Sequence, residues 1–179
     1  MSDIETARLV LRLVPLAGLA ATVAKDLDAC RAIIGDVPPE WFDDDWVADM
    51  RLQQWKGDPG YAPWSIRAIA LKQTGQIVGY MNCHNKPMSF VYDGTTSLAI
   101  ELGYDIFAAF RRRGFAYEAI RGFTAWARTQ GVARIVLSIA PGNEASRALA
   151  MKLGAIRIGS QIDEKDGPED VYLATIAEG

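Results

Sequence analysis

The chain has 179 residues, half of them hydrophobic and 23% charged, with a formal net charge of −3. These values predict one globular domain with a real core, and they weigh against general nucleic-acid binding, which is marked by a basic excess. No apolar run reaches the ~20 residues of a membrane span, Met1-Ser2-Asp3-Ile4-Glu5 lacks signal-peptide features, and Cys30 and Cys83 stand far apart without metal-ligand spacing, so a reducing cytoplasm is expected.

Arg8 to Val14 alternates, with Leu9, Leu11 and Leu13 on one side, and predicts a half-buried strand. Leu16, Leu19, Val23 and Leu27 recur at helical spacing and predict one amphipathic helix, weakened by Gly18. From Gly35 to Pro63 the prolines, glycines and tryptophans predict short helices and loops, with one helix across Trp46 to Trp55. Trp64 to Leu71 and Ile77 to Asn82, joined by a polar turn with Gly75, predict a hairpin. A loop through Pro87 and Asp93-Gly94 is expected to lead into a strand near Leu98 to Ile106.

A helix is expected from Phe115 to about Gln130, with Ile120, Phe123 and Ala127 on one face and Gly131 as its stop. Arg134 to Ile139 predicts a central strand, and Ala145 to Leu153 a short helix ended by Gly154. Two strands, Ala155 to Ile162 and Val171 to Ile176, are expected to flank Lys165-Asp166-Gly167-Pro168. This order predicts an α+β domain around a mixed sheet.

Arg111-Arg112-Arg113-Gly114-Phe115-Ala116 falls between a strand and a helix. Backbone N–H groups at a helix start are unpaired, and the helix dipole and arginines add positive charge, so the turn suits an anion such as phosphate. Neither G-x-x-x-x-G-K-[ST] nor a G-x-G-x-x-G after a first strand is present, which leaves nucleoside triphosphatase and dinucleotide folds unsupported.

Glu101-Leu102-Gly103-Tyr104, Ala116-Tyr117-Glu118-Ala119, Pro141-Gly142-Asn143-Glu144-Ala145-Ser146 and Lys152-Leu153-Gly154-Ala155 together resemble the GNAT acyltransferase superfamily. The likeness is closest to the RimJ/RimL-like branch that acetylates N-termini of ribosomal proteins, whose first strand is similar to Thr6-Ala7-Arg8-Leu9-Val10-Leu11-Arg12. The resemblance implies one N-acetyltransferase domain over residues 1–179, with a mixed central sheet, a splayed pair of strands and helices on both faces. Residues 97–155 would form the coenzyme A-binding core and 35–63 the variable acceptor-side segment.

It further implies that Arg111, Arg112, Arg113, Gly114, Phe115 and Ala116 bind the pyrophosphate of acetyl-coenzyme A through backbone amides, the arginines adding side-chain contacts. The family commonly has a second glycine at the position of Arg112 or Ala116, so both residues are expected in ordinary backbone geometry. The strand at Tyr104 to Ile106 would pair with the pantetheine arm. Asp105 would face solvent or the acceptor amine.

Acetyl transfer to an amine needs a base for the ammonium and a proton for the departing thiolate. Glu101 is the candidate base, with a structural carboxylate as the alternative. Ser146 is the candidate acid, matching N-x-x-S at a helix start near the coenzyme sulfur in this branch; the alternative is that Asn143 and Ser146 cap the helix. Tyr104 and Tyr117 rank lower as acids, and neither cysteine has a nucleophile motif.

His84, the single histidine, reads as a strand-end or pocket-lining residue and makes no hydrolase triad by itself. Trp41 and Trp46, with the surrounding aromatics and carboxylates of the acceptor-side segment, suit a cationic amine or pack a small cap. No metal is expected. The implied partners are acetyl-CoA and an amine acceptor, a small molecule or a protein N-terminus, with no nucleic acid or membrane, in a monomer or homodimer. The alternative function is a non-catalytic acyl-CoA-binding sensor or scaffold.

Overall fold

A computed structural model describes residues 3–163 and 167–176, so the expected turn at Lys165-Asp166 lies outside the described residues. The described residues divide into two compact units. The first runs up to Cys83 and adds Tyr104–Phe123; the second holds His84–Gly103 and the chain from Thr124 onward.

In the first unit, β1 (Ile4–Glu5), β2 (Leu9–Leu13), β3 (Arg67–Leu71) and β4 (Ile77–Cys83) pair antiparallel in chain order. The alternation predicted for β2 holds at Leu9 and Leu11, which are fully buried, whereas Leu13 is only half buried. β1 carries no pattern at two residues and was not expected. The hairpin starts at Arg67, because Pro59–Trp64 forms a 3-10 helix that takes Trp64 out of the strand.

The single helix expected after Pro15 is two: α1 (Leu16–Val23) and α2 (Leu27–Ile33). Lys25 turns left-handed at φ +54° and the Asp26 side chain accepts from the Ala29 N–H at 3.0 Å, starting a new helix where the apolar spacing alone showed none. Gly18 is packing rather than weakness, since a Cβ there would lie 2.9 Å from Val14. α3 (Asp45–Gly57) covers the expected Trp46–Trp55 helix. Leu19, Cys30, Trp41, Ala48, Leu52, Ile66, Ala70, Ile77 and Phe107 meet in one core.

The second unit begins with β5 (Met88–Tyr92), a strand where a loop was expected. It pairs antiparallel with β6 (Thr95–Ile106) across Asp93 (φ +49°) and Gly94 (φ +69°). That two-residue turn of left-handed residues matches the strand twist, so Asp-Gly marks a hairpin here. α4 (Phe115–Thr129), whose residues up to Phe123 belong to the first unit, buries Ile120, Phe123 and Ala127 as predicted, and leads to β7 (Val132–Ile139), which runs parallel to β6.

That parallel register ends at Glu101–Val136, while β7 continues to Ile139, so the two strands part just past Glu101. α5 (Glu144–Lys152), β8 (Ile156–Asp163) and β9 (Gly167–Thr175) complete the unit, with β9 between β7 and β8 and antiparallel to both. Mixed parallel and antiparallel strands with helices give the expected α+β class.

Candidate active site

The anion turn lies wholly in the first unit. The end of β6 comes against β4 there: the Phe107 N–H donates to the Val78 carbonyl at 3.0 Å, and Gly79 has no side chain because a Cβ would collide with the Asp105 carbonyl. After a short 3-10 turn, Arg112 adopts φ +62° and Gly114 φ +79°. The first backbone bond into α4 runs from the Glu118 N–H to the Gly114 carbonyl at 3.1 Å. Among the described residues, the N–H groups of Arg112, Arg113, Gly114, Phe115 and Ala116 take no hydrogen-bond partner. Five consecutive unpaired donors at a helix N-terminus, with two left-handed residues among them, form a concave anion receptor.

The arginine side chains are mostly spent inside the unit. Arg111 donates from Nε to the Ile106 carbonyl at 2.6 Å and pairs with Asp105 at 3.1 Å. Arg113 donates to the Ala109 carbonyl at 3.0 Å and lies over the Phe110 ring. Arg8 donates to the Arg113 carbonyl at 3.1 Å, covers the Phe115 ring and pairs with Glu118 at 2.6 Å. Glu118 also accepts from the Thr6 hydroxyl and the Arg8 N–H. Burial pushes its carboxyl upward, but these bonds outweigh it and hold the group below its usual value.

In the second unit, Glu101 sits on β6 with both of its backbone groups taken: its N–H donates to Asn85 Oδ1 at 2.9 Å and its carbonyl accepts from the His84 N–H at 2.8 Å. Its Oε1 accepts from the Ser138 hydroxyl at 2.6 Å and lies 3.5 Å from His84 Nδ1. Gln161 donates to Ser138 Oγ at 3.0 Å and to Glu169 at 3.1 Å. The His84 contact first, then Ser138, lowers the Glu101 carboxyl from its usual value, against burial and the charge of Asp163. At α5, Asn143 Oδ1 accepts the Ser146 N–H at 3.0 Å, so Asn143 is the helix cap and Ser146 contributes only its backbone to it.

The acceptor-side residues divide. Trp41 is core: 4% exposed, with its indole N–H donated to Thr22 Oγ1 at 2.9 Å and its ring edge-on to Tyr80. It borders a cavity of about 10 Å³, room for one water. Tyr80 donates to Asp44 at 2.6 Å, and burial followed by that carboxylate pushes the phenol far above its usual value. Trp46, on α3, is half exposed. Cys83 is fully buried and its thiol is pushed up to about 12, foremost by desolvation.

The sequence matches the acetyltransferase (GNAT) domain family over residues 8–156. The chain belongs to the GNAT acetyltransferase family. Among solved structures it is similar to a ribosomal-protein-S5-alanine acetyltransferase from Vibrio fischeri (16% identity, TM-score 0.67, 99% of this chain and 98% of that one). It is also similar to an acetyltransferase from Agrobacterium tumefaciens (21%, 0.63, 97% and 94%) and to RimJ of Mycobacterium smegmatis in complex with CoA-disulfide (16%, 0.63, 97% and 87%). No curated protein sequence matches it.

GNAT acetyltransferases use acetyl-CoA, and the row of unpaired N–H groups at the start of α4 fits the coenzyme's diphosphate. One expectation for that turn is corrected. Arg112 is not in ordinary geometry: it occupies the left-handed region that the family's glycine would take without strain. Asp105 pairs with Arg111 at 3.1 Å, and its side chain stays 36% exposed.

Arg8, Thr6 and Glu118 frame the GNAT turn, although the sequence supplied them only as pieces of the likeness. Their contacts span more than a hundred residues, which no local pattern shows. Ser138 and Gln161 likewise reach Glu101 only through strand pairing. Among the described residues, no group of His, Cys, Asp and Glu is placed to hold a metal ion, and no helix is long and apolar enough to cross a membrane.

Proposed function

We propose that this chain is a single N-acetyltransferase domain that moves an acetyl group from acetyl-CoA to a primary amine, either a peptide or protein N-terminus or a small-molecule amine, by direct attack in a ternary complex. The unpaired N–H row from Arg112 to Ala116 is the observation that carries this reading. When bound, acetyl-CoA supplies the acetyl group as an activated thioester. The amides of the turn hold the diphosphate, and the Arg8–Glu118 pair keeps the turn in shape. The backbone of Tyr104 to Ile106 offers strand-like donors and acceptors to the pantetheine.

Removal of a proton from the incoming ammonium falls to the cluster around Glu101, and Ser146 supplies a proton to the leaving sulfur. Asn143 fixes the first turn of α5 and so the backbone of Ser146. Trp46, exposed on α3, is an acceptor-side contact, and Trp41 supports that side from within the core.

A screen of amines and N-terminal peptides, read by free thiol release, tests the proposal. Thiol release with at least one amine is expected, together with a rise of several degrees in Tm at acetyl-CoA concentrations about 100-fold above Kd. The absence of both thiol release and a Tm shift would overturn it.

A further inference from the structure

β5 is a sheet edge without the charges, prolines or bulges that keep edges apart. It pairs with β6 in an unbroken register from Met88–Ala99 to Tyr92–Thr95. A two-residue turn closes on a hydrogen-bonded pair, Tyr92 with Thr95, and alternation makes Phe90–Ser97 and Met88–Ala99 the other bonded pairs. Glu101, two residues beyond Ala99, turns its backbone groups to the same side, towards Asn85 and His84. Ser89 and Val91 therefore direct N–H and C=O away from β6, and among the described residues these groups take no hydrogen-bond partner. Met88 is 53% exposed and Val91 67%. By contrast β8, the edge beyond β9, is kinked by a bulge between Arg157 and Gly159 and carries Arg157 and Asp163.

We propose that β5 is the edge through which two copies of this chain associate, each adding its β5 antiparallel to the other about a two-fold axis at Phe90. In that register Ser89 of one copy and Val91 of the other exchange both N–H···O bonds. The symmetry repeats the exchange, so every outward group of β5 is satisfied in both copies. Moving the axis to Ser89 would set Val91 against Pro87, which has no N–H to give, and moving it to Val91 would set Ser89 against Asp93 in the turn. The side chains agree with the Phe90 axis. Phe90 faces its own copy and Met88 faces Tyr92, an aromatic and a sulfur–aromatic cross-strand pair. No charge from Met88 to Tyr92 repels its copy, and Lys86 comes beside Asp93 of the other copy, so the two ends are complementary in charge. Pairing of this edge needs neither coenzyme nor acceptor amine. One short strand from each side makes a small interface, so the dimer is reversible, with Kd in the micromolar range.

Sedimentation equilibrium of the full chain from about 1 μM to about 1 mM is expected to show monomer and dimer in exchange. Hydrogen exchange at the Ser89 and Val91 amides should slow about tenfold between the two ends of that range. Ser89→Pro removes an outward N–H from each copy and spares the bonds to β6, and Val91→Lys places a charge on the edge. Each is expected to raise Kd about tenfold or more, because the symmetry counts every change twice. Asp93→Asn, which suits the left-handed turn, should weaken the dimer about twofold to threefold at low salt and leave it unchanged at high salt.

A chain that stays monomeric over the whole range would overturn the assignment. So would a dimer that neither Ser89→Pro nor Val91→Lys weakens, since its interface would lie elsewhere. Protection of the Ser89 and Val91 amides that appears only with an added extended peptide would also overturn it, and would make the edge a peptide site instead. Should Ser89→Pro melt early, Val91→Lys, at a well exposed side chain, decides the matter together with the exchange rates of the wild type.

Discussion

The turn before α4 and the cluster around Glu101 are built in opposite ways. At the turn most side chains are occupied, with Arg111 on Ile106 and Asp105, Arg113 on Ala109, and Arg8 on Glu118, while the backbone N–H groups stay unpaired. At Glu101 both backbone groups are paired and the side chains carry the exposed chemistry. A backbone receptor tolerates almost any side chain but depends on φ and ψ. A side-chain cluster tolerates backbone variation of sequence but depends on which residues the strands bring together.

The largest break in that contrast should come from Gly114→Val. Gly114 has φ +79°, a region nearly closed to a β-branched residue. A Cβ would meet only Arg8 at an ordinary 3.5 Å, so the cost is torsional rather than steric. The turn must reshape, and losing one charge-assisted N–H contact to phosphate is worth about 1.5–3 kcal/mol. Acetyl-CoA affinity measured by calorimetry is expected to fall about tenfold to a hundredfold. Unchanged affinity would show that the turn is not the diphosphate site.

The same contrast explains what could be read before the structure. Gly114 between a strand and a helix announces a backbone receptor, because the information is local. Ile120, Phe123 and Ala127 on α4 are equally legible, because helical spacing repeats within the segment. The split between α1 and α2 was hidden, since Leu16 to Leu27 keeps helical spacing across the Lys25 break. β5 is not legible although Asp93-Gly94 spells its turn, because Met88 to Tyr92 is an edge strand with exposed Met88 and Val91 and no buried face to alternate with. The His84–Glu101 contact could not be read at all, since 17 residues and a hairpin separate the two.

A smaller effect is expected where side chains support the backbone receptor. Glu118→Gln keeps size but removes the charge that joins Thr6, the Arg8 N–H and the Arg8 guanidinium. Half of the Arg8 side chain is exposed, so solvent screens that pair. A loss of about 1–2 kcal/mol in urea denaturation at pH 7 is expected. The Glu118 carboxyl is lowered in the folded chain, so its contribution is complete above the unfolded value near 4.3 and disappears as pH falls through the folded value. The gap between wild type and Glu118→Gln should therefore narrow as pH falls below about 4.3 and close below the folded value. A gap that persists there would assign the loss to packing rather than charge.

The smallest effect is also the sharpest test of a backbone receptor. Arg112 holds φ +62° without being glycine, at a cost of about 1–2 kcal/mol for an L-residue in that region. Arg112→Gly removes the strain, although the freer unfolded chain takes back about 0.4–1 kcal/mol. A net change within about 1 kcal/mol, in the stabilising direction, is expected from denaturation. Acetyl-CoA affinity should stay within about threefold at moderate salt, because one exposed guanidinium near phosphate is largely screened there. A tenfold loss would mean that the Arg112 side chain, which has no partner among the described residues, is itself a phosphate ligand. The receptor would then read charge as well as shape, and the left-handed arginine would be strain retained for a contact that glycine cannot make.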